Sequence, residues 1–391
     1  MNSVPANEIE LSIVIPCLNE AETVGTCVEK AMRALRDHNI TGEVVVADNG
    51  STDGSQQIAM NLGARVLAVP EKGYGNALMS GIAAAHGKYV LMGDADDSYD
   101  FLDSPRFLEK IREGHDFVQG CRLPSGGGTV KPGAMPFLHR WVGNPMLTRL
   151  VRVMFGSPFH DVYCGMRAFR KEWYESLNLR CTGMEFATEM IVKASQFPTK
   201  VAEVPITLYP DGRVTQRPHL RTFRDGWRTL RFFLMYSPRW LFLYPGMLLI
   251  LLGLVGYGLA LPGVQVFGAN LDAHTLLFAS LFVLAGYQSI QFAAFTRTFA
   301  VSEGLLPSSP GLRRLERIFN LERGLALGLL TMLGGVILLG LAVHEWWLVN
   351  FGNLDYARTM RKVIPGVTLA TIGFQTLLAS FFLNILRLRR K

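Results

Sequence analysis

Charge is scarce in the second part of this chain. After residue 240, four stretches of about 20 residues hold no Asp, Glu, Lys or Arg (240–261, 275–295, 325–343 and 363–385), and each is long enough to cross a hydrocarbon core. Soluble core helices of that length without charge are rare, so four transmembrane helices are expected. Cysteine is also sparse: Cys17, Cys27, Cys121, Cys164 and Cys181 form no Cys-x-x-Cys pair. That excludes a zinc ribbon or a disulfide framework and predicts reduced core thiols. Residues 1–10 lack the apolar run of a secretory leader, so the first part is expected to stay in the cytosol. The turn Pro16-Cys17-Leu18-Asn19-Glu20, after the first strand, holds no glycine, which removes a dinucleotide-binding fingerprint and an oxidoreductase with it.

What is present divides 391 residues into a charged head and an apolar tail. Arg297, Arg313, Arg314, Arg317 and Arg323 lie in the connection 296–324, and Arg387, Arg389, Arg390 and Lys391 at the end, whereas 262–272 has no Lys or Arg. The positive-inside rule then places head, middle connection and both termini in the cytoplasm, as in an integral protein of a plasma (inner) membrane. Arg358, Arg361 and Lys362 run against the rule without reversing it. Between Pro136 and Phe155, and again from Arg221 to Arg239, apolar residues such as Phe137, Trp141, Met146 and Trp227 alternate with arginines. Both stretches suit helices in the headgroup layer, with membrane lipids as partners. The net charge of +7 is thereby assigned to lipid, and no nucleic acid is expected. Gly324, Gly328, Gly334, Gly335 and Gly340 suit close helix packing, within one chain or in a homo-oligomer. The expected domains are a head 1–220, an amphipathic juxtamembrane helix 221–239 and a membrane domain 240–391.

The head reads as alternating strands and helices: strand Leu11–Ile15, helix Asn19–Arg36, strand Glu43–Ala47, helix Ser51–Leu62, strand Ala64–Val69, helix Gly75–Ala85 and strand Tyr89–Met92. This order predicts a parallel α/β sheet. Three loops then converge on its carboxyl edge: Pro16–Glu20, Asp48-Asn49-Gly50-Ser51-Thr52-Asp53 and Asp94-Ala95-Asp96. Paired carboxylates there are hard oxygen ligands for Mg²⁺ or Mn²⁺ on a diphosphate. By itself an Asp-x-Asp is also the composition of a surface turn, and Lys72-Gly73-Tyr74-Gly75 is equally a plain turn or an approach to phosphate.

Taken as an ordered set, Ile13-Val14-Ile15-Pro16-Cys17-Leu18-Asn19-Glu20, Val46-Ala47-Asp48-Asn49-Gly50-Ser51-Thr52-Asp53, Lys72-Gly73-Tyr74-Gly75-Asn76 and Asp94-Ala95-Asp96 resemble inverting family 2 glycosyltransferases of the GT-A fold, a Rossmann-like nucleotide-sugar-binding domain. Asp161-Val162-Tyr163-Cys164-Gly165-Met166-Arg167, Gly183–Met190 and Val204-Pro205-Ile206 narrow the resemblance to the polyprenyl-phosphate sugar synthases, over residues 10–240. The resemblance implies Pro16, Asn19, Glu20, Asp48 and Lys72 for the donor nucleotide, and Asp94 and Asp96 for metal and catalysis. It implies Arg122, Arg140, Asn144, Arg167, Arg213 and Arg217 for the acceptor phosphate. Ser98 stands where many relatives have a Gln that touches the metal, and the segment Tyr209–His219 departs from the mannose-type pattern.

The implied reaction joins a hexose from UDP-glucose, UDP-N-acetylhexosamine or GDP-mannose to polyprenyl phosphate with inversion. A lipid phosphate is largely dianionic at neutral pH, its second pKa being about 6, so it needs positioning by Arg more than a general base. Asp97 is a candidate base, or a residue that caps the loop. Two rivals are a processive polysaccharide synthase, whose Gln-x-x-Arg-Trp motif does not occur here, and a non-enzymatic membrane adaptor, against which the intact acid pair argues.

Overall fold

The computed structural model describes residues 9–213, 222–266, 268–308 and 320–388, in two compact units, Met1–Phe233 and Leu234–Lys391. The first unit opens with β1 (Leu11–Cys17), α1 (Val24–Asp37), β2 (Gly42–Asp48), α2 (Ser55–Asn61), β3 (Arg65–Ala68), α3 (Tyr74–Ala84) and β4 (Tyr89–Met92). These strands are near-continuous apolar runs because helices cover both faces. Val24, Cys27, Val28, Ala31 and Leu35 of α1 lie in the large core cluster with Leu11, Ile13, Ile15, Val44 and Val46. On α3, Ala77 packs with Ala47 and Val69 in a second cluster. Gly81 lets α3 lie tight on the sheet, since a Cβ there would sit 2.6 Å from Val14 Cγ1.

The sheet is mixed where a parallel one was expected. After α4 (Ser104–Arg112) come β5 (Phe117–Cys121), β6 (Thr129–Val130), α5 (Asn144–Phe155), β7 (Arg167–Arg170), α6 (Lys171–Leu177), α7 (Glu185–Gln196), β8 (Val201–Pro205) and β9 (Thr207–Leu208). The seven-stranded order is β3-β2-β1-β4-β7-β5-β8, and β7 runs antiparallel to both β4 and β5. Antiparallel neighbours need no crossover helix, so β/α alternation in the sequence does not announce β7. Strand order reverses between β1 and β4, and in open α/β sheets such a switch point marks the ligand crevice, at the carboxyl ends of the strands. Pro16 falls beyond the last β1–β4 pair, Val14 with Met92, where its missing N–H costs that ladder nothing.

Both first helices begin later than expected, at Val24 and Ser55. The intervening residues bind each other instead. Asn19, at φ +57°, donates its N–H to Ser51 Oγ at 2.8 Å and accepts from the Thr52 N–H at 2.9 Å. Glu20 N–H donates to Ser55 Oγ and Ala21 N–H to Asp53 Oδ2. Short polar side chains that offer such bonds compete with helix formation.

In the second unit four helices are long and apolar enough to cross a membrane: Arg239–Ala260, Ala273–Ser302, Leu321–Leu348 and Tyr356–Arg387. The last three outrun their charge-free stretches because flanking polar and charged residues continue the helix beyond the apolar window. Gly328, Gly335, Gly366 and Gly373 bring the third and fourth helices into backbone contact, and a Cβ on Gly335 would lie 2.6 Å from Gly366 O. Gly334 and Gly340 meet nothing within 4 Å. Hydroxyls bridge the helices, Tyr257 Oη to Ser280 Oγ at 2.6 Å and Tyr287 Oη to Thr376 Oγ1 at 2.6 Å. Such bonds between polar side chains hold helices together in hydrocarbon. Two of the three cations that run against the positive-inside rule face carboxylates: Lys362 pairs with Glu345, and Arg361 lies 3.3 Å from Asp272.

Candidate active site

The crevice collects the ends of β1, β2 and β4. Asp48, buried at the end of β2, accepts the N–H groups of Gly50 and Ser51 and the amide of Gln56 at 2.5 Å. Asn49 ties this loop to the next: its Oδ1 accepts the Gly73 N–H at 2.8 Å, and its carbonyl accepts Lys72 Nζ at 2.5 Å. Pro16, Asn19, Glu20, Asp48 and Lys72 therefore lie on three loops that are bonded to one another.

Each carboxylate of the acid pair has one oxygen held by a hydrogen-bond donor. Asp94 Oδ1 accepts the Tyr74 hydroxyl at 2.9 Å. Asp94 Oδ2 stands over Gly165, where a Cβ would lie 2.5 Å away, so glycine keeps that oxygen clear. Asp96 Oδ1 accepts the Ser98 hydroxyl at 2.6 Å and the Ser98 N–H at 3.1 Å. Ser98, which stands where many relatives have a metal-touching Gln, donates its hydroxyl to hold Asp96. Burial, together with the negative charge of Asp96, pushes the Asp94 carboxyl up to about 6 against the opposing pull of Tyr74, Arg167 and Arg122. Among the described residues no three His, Cys, Asp or Glu side chains cluster as a complete metal cage. Two carboxylates with one open oxygen edge suit Mg²⁺ or Mn²⁺, which take their remaining oxygens from phosphate and water.

The arginines separate into different roles. Arg122 is buried and makes a two-pronged pair with Asp161, Nε to Oδ2 at 2.7 Å and Nη2 to Oδ1 at 2.9 Å. Arg167 is 1% exposed, with Nε, Nη1 and Nη2 on the carbonyls of Cys164, Ala187 and Val162. Neither presents a guanidinium to an acceptor phosphate, which corrects the expectation for both. Arg213 binds Glu20 through Nε at 2.8 Å and Nη2 at 2.7 Å, and Nη2 lies 3.7 Å from Asp96 Oδ2. Its guanidinium is thus engaged by Glu20 of the Pro16–Glu20 loop, beside the acid pair. Arg217 lies outside the described residues.

Arg140 differs from these. Among the described residues its Nε has no hydrogen-bond partner, and its guanidinium lies 5.3 Å over the Trp141 ring. Around it Phe137 is 77% exposed, and Trp141 and Met146 are also exposed, while Val151 and Phe155 bury the other side of α5. Asn144, at the start of α5, reaches Met135 Sδ at 3.2 Å. Asp97, at φ +58°, is paired with Lys30 at 2.7 Å and so is not a free base. All five cysteines are free, four of them buried and Cys181 partly so, and burial raises each thiol above its ordinary pKa, which keeps it unreactive. Sequence reasoning gave no role to Tyr74, Asn49, Asp161 or Gly165, although all four lie inside the motifs that carried the resemblance.

Sheet, switch-point crevice and acid pair define a GT-A-like α/β transferase domain, followed by a helical membrane region. The family model for glycosyl transferase family 2 matches residues 12–177, and that for the glycosyltransferase family 2 C-terminal transmembrane region matches residues 294–387. The low-salt glycan biosynthesis hexosyltransferase Agl6 of Haloferax volcanii is 39% identical over 96% of this chain and 89% of that protein. A dolichyl-phosphate hexose transferase of the same organism is 33% identical over 50% of this chain and 82% of that protein. Glucosyl-3-phosphoglycerate synthase of Mycobacterium tuberculosis, solved with Mn²⁺, uridine diphosphate and glucosyl-3-phosphoglycerate, aligns at TM-score 0.43 and 22% identity, covering 58% of this chain and 78% of that one. This chain belongs to glycosyltransferase family 2, as a hexosyltransferase that is an integral membrane protein.

Proposed function

We propose that this enzyme transfers a hexose from a nucleotide sugar to polyprenyl phosphate on the cytoplasmic leaflet, with inversion at the anomeric carbon. The observation that carries the acceptor is Arg140, whose Nε has no hydrogen-bond partner among the described residues and which lies on a segment with exposed Phe137, Trp141 and Met146. An apolar surface with an uncommitted cation suits a phosphate on an isoprenoid chain at the headgroup layer. The resemblance to a dolichyl-phosphate hexose transferase supports the same reading.

In this reading the donor's nucleoside lies along Pro16, Asn19, Glu20 and Asp48, with Lys72 beside it. Asp94 and Asp96 would hold Mg²⁺ or Mn²⁺, which when bound supplies positive charge to the departing nucleoside diphosphate. A phosphate oxygen of the lipid forms the new bond to the anomeric carbon. The bond from that carbon to the diphosphate breaks, and its electron pair leaves with the nucleotide. The lipid phosphate is already ionised, so no side chain has to remove a proton. Orientation, with head and both termini cytoplasmic, follows from the arginines of 296–324 and gives the site access to cytosolic donors.

The test pairs two titrations on Arg140→Ala, after a panel of radiolabelled nucleotide sugars has identified the donor by lipid extraction. Use of polyprenyl phosphate should weaken by about 1.5 to 3 kcal/mol, the range for a hydrogen bond to a charged group, with nucleotide-sugar binding unchanged. Arg140→Lys should recover part of the loss. A mutant that binds the nucleotide sugar poorly but uses lipid phosphate normally would place Arg140 with the donor.

A further inference from the structure

We infer that Tyr74 is a positioning residue for the metal-binding carboxylate Asp94, and that it links the Lys72–Gly75 turn to the acid pair. This rests on the reading of Asp94 as a metal ligand. The geometry is specific. Tyr74 Oη is 2.9 Å from Asp94 Oδ1, and the hydroxyl donates to an acceptor-only carboxylate. With Oδ1 held and a glycine beneath Oδ2, the carboxylate is fixed in one rotation with one edge open.

The turn that carries Tyr74 is itself clamped. Gly73 has φ +139°, a conformation that favours glycine, and a Cβ there would lie 2.5 Å from Thr182 O. The Asn76 N–H donates to Thr182 O at 3.0 Å, and the Gly73 N–H is held by Asn49. Behind them, Glu189 Oε2 accepts the N–H groups of Arg180 and Cys181 at 2.9 and 2.8 Å. Glu189 is fully buried, and Lys193 Nζ lies 3.2 Å from its Oε1. The 180–182 segment is thereby a fixed wall against which the Lys72–Gly75 turn is pressed. Groups that hydrogen-bond a metal ligand hold its orientation, and their loss typically lowers metal affinity about 10- to 100-fold.

The experiment titrates Mn²⁺ alone into the full chain in detergent, reading free Mn²⁺ by electron paramagnetic resonance, with thermal unfolding measured on each protein. Tyr74→Phe should bind Mn²⁺ about tenfold more weakly while unfolding at the parent's temperature. Asn76→Ala removes only the 3.1 Å bond from Asn76 Nδ2 to the Lys72 carbonyl and keeps both the backbone bond to Thr182 and the Tyr74 hydroxyl on Asp94, so it should bind Mn²⁺ like the parent. Asp94→Asn separates this inference from the reading beneath it. If Asp94→Asn loses Mn²⁺ and Tyr74→Phe keeps the parent's affinity, Asp94 is a ligand and the role of Tyr74 is overturned. Parent-like binding by Asp94→Asn overturns the metal reading itself. A Tyr74→Phe chain that does not fold also overturns the inference, because a hydroxyl that only orients Asp94 is dispensable for folding.

Discussion

The catalytic unit and the membrane unit reach order by opposite means. In the head, side chains far apart in sequence cross-link loops: Asn19 to Ser51 and Thr52, Asn49 to Lys72 and Gly73, Tyr74 to Asp94, and Arg122 to Asp161. In the tail, the absence of side chains does the ordering, since Gly328, Gly335, Gly366 and Gly373 let two helices touch along their backbones. The contrast follows from the solvent. Water makes apolar burial the driving force for the head and leaves polar groups to fix geometry; hydrocarbon offers no such drive, so close packing and a few hydroxyl bonds take over. A substitution in the head should therefore change chemistry before stability, and one in the tail the reverse.

The sharpest break of that contrast is Asp96→Ala. Removing half of the acid pair should lower turnover at least about 10²-fold, by loss of charge neutralisation at the diphosphate, with little change in unfolding temperature. Parent-like turnover, or activity of the parent that survives excess chelator, would take the acid pair out of the chemistry. The converse test is Gly335→Val, which drives a side chain into the backbone of the fourth helix near Gly366 and Ala370. Overpacking of this kind costs about 1 to 3 kcal/mol, to be read as a lower unfolding midpoint in detergent. Nucleotide-sugar binding by calorimetry should stay at the parent's value; a parallel loss would mean that the two units are not energetically separate.

The smallest effect concerns acid. Burial opposes charge on Asp161, but the Arg122 guanidinium outweighs it and holds the carboxyl below the usual carboxylate range. On unfolding, Asp161 returns to a pKa of about 3.9, so the pair's stabilisation is complete above that value and is lost as pH falls through the folded one. The protection of amides 117–122 and 161–164 against hydrogen exchange, taken relative to the unprotected rate at each pH, should fall below about pH 4, ahead of the glycine-packed helices. Protection there that is unchanged down to about pH 3 would show that the pair contributes nothing to the head's acid stability.

The sequence made some of this legible and hid the rest for identifiable reasons. Strands β1 to β4 and their loops were readable because each apolar run ends in polar residues with turn chemistry, and the order of elements then brings the loops together. Helix starts were misplaced at Asn19 and Ser51 because good capping residues serve equally well as partners for another loop. Strand β7 escaped because an antiparallel insertion of four residues, Arg167–Arg170, has no crossover to announce it. The arginines were hardest. Arg122 meets its carboxylate 39 residues away and Arg213 meets Glu20 across 193, distances at which spacing carries no information about partners.

The glycine seam of the tail has a mechanical consequence for life in bilayers of different thickness. At 28 and 32 residues and about 1.5 Å per residue, the third and fourth helices are rods of about 42 and 48 Å, against a hydrocarbon core of about 30 Å. Joined backbone to backbone, they have no room for a lipid chain between them. A thinner or thicker membrane is therefore met by the pair leaning as one body, since splaying would break the seam.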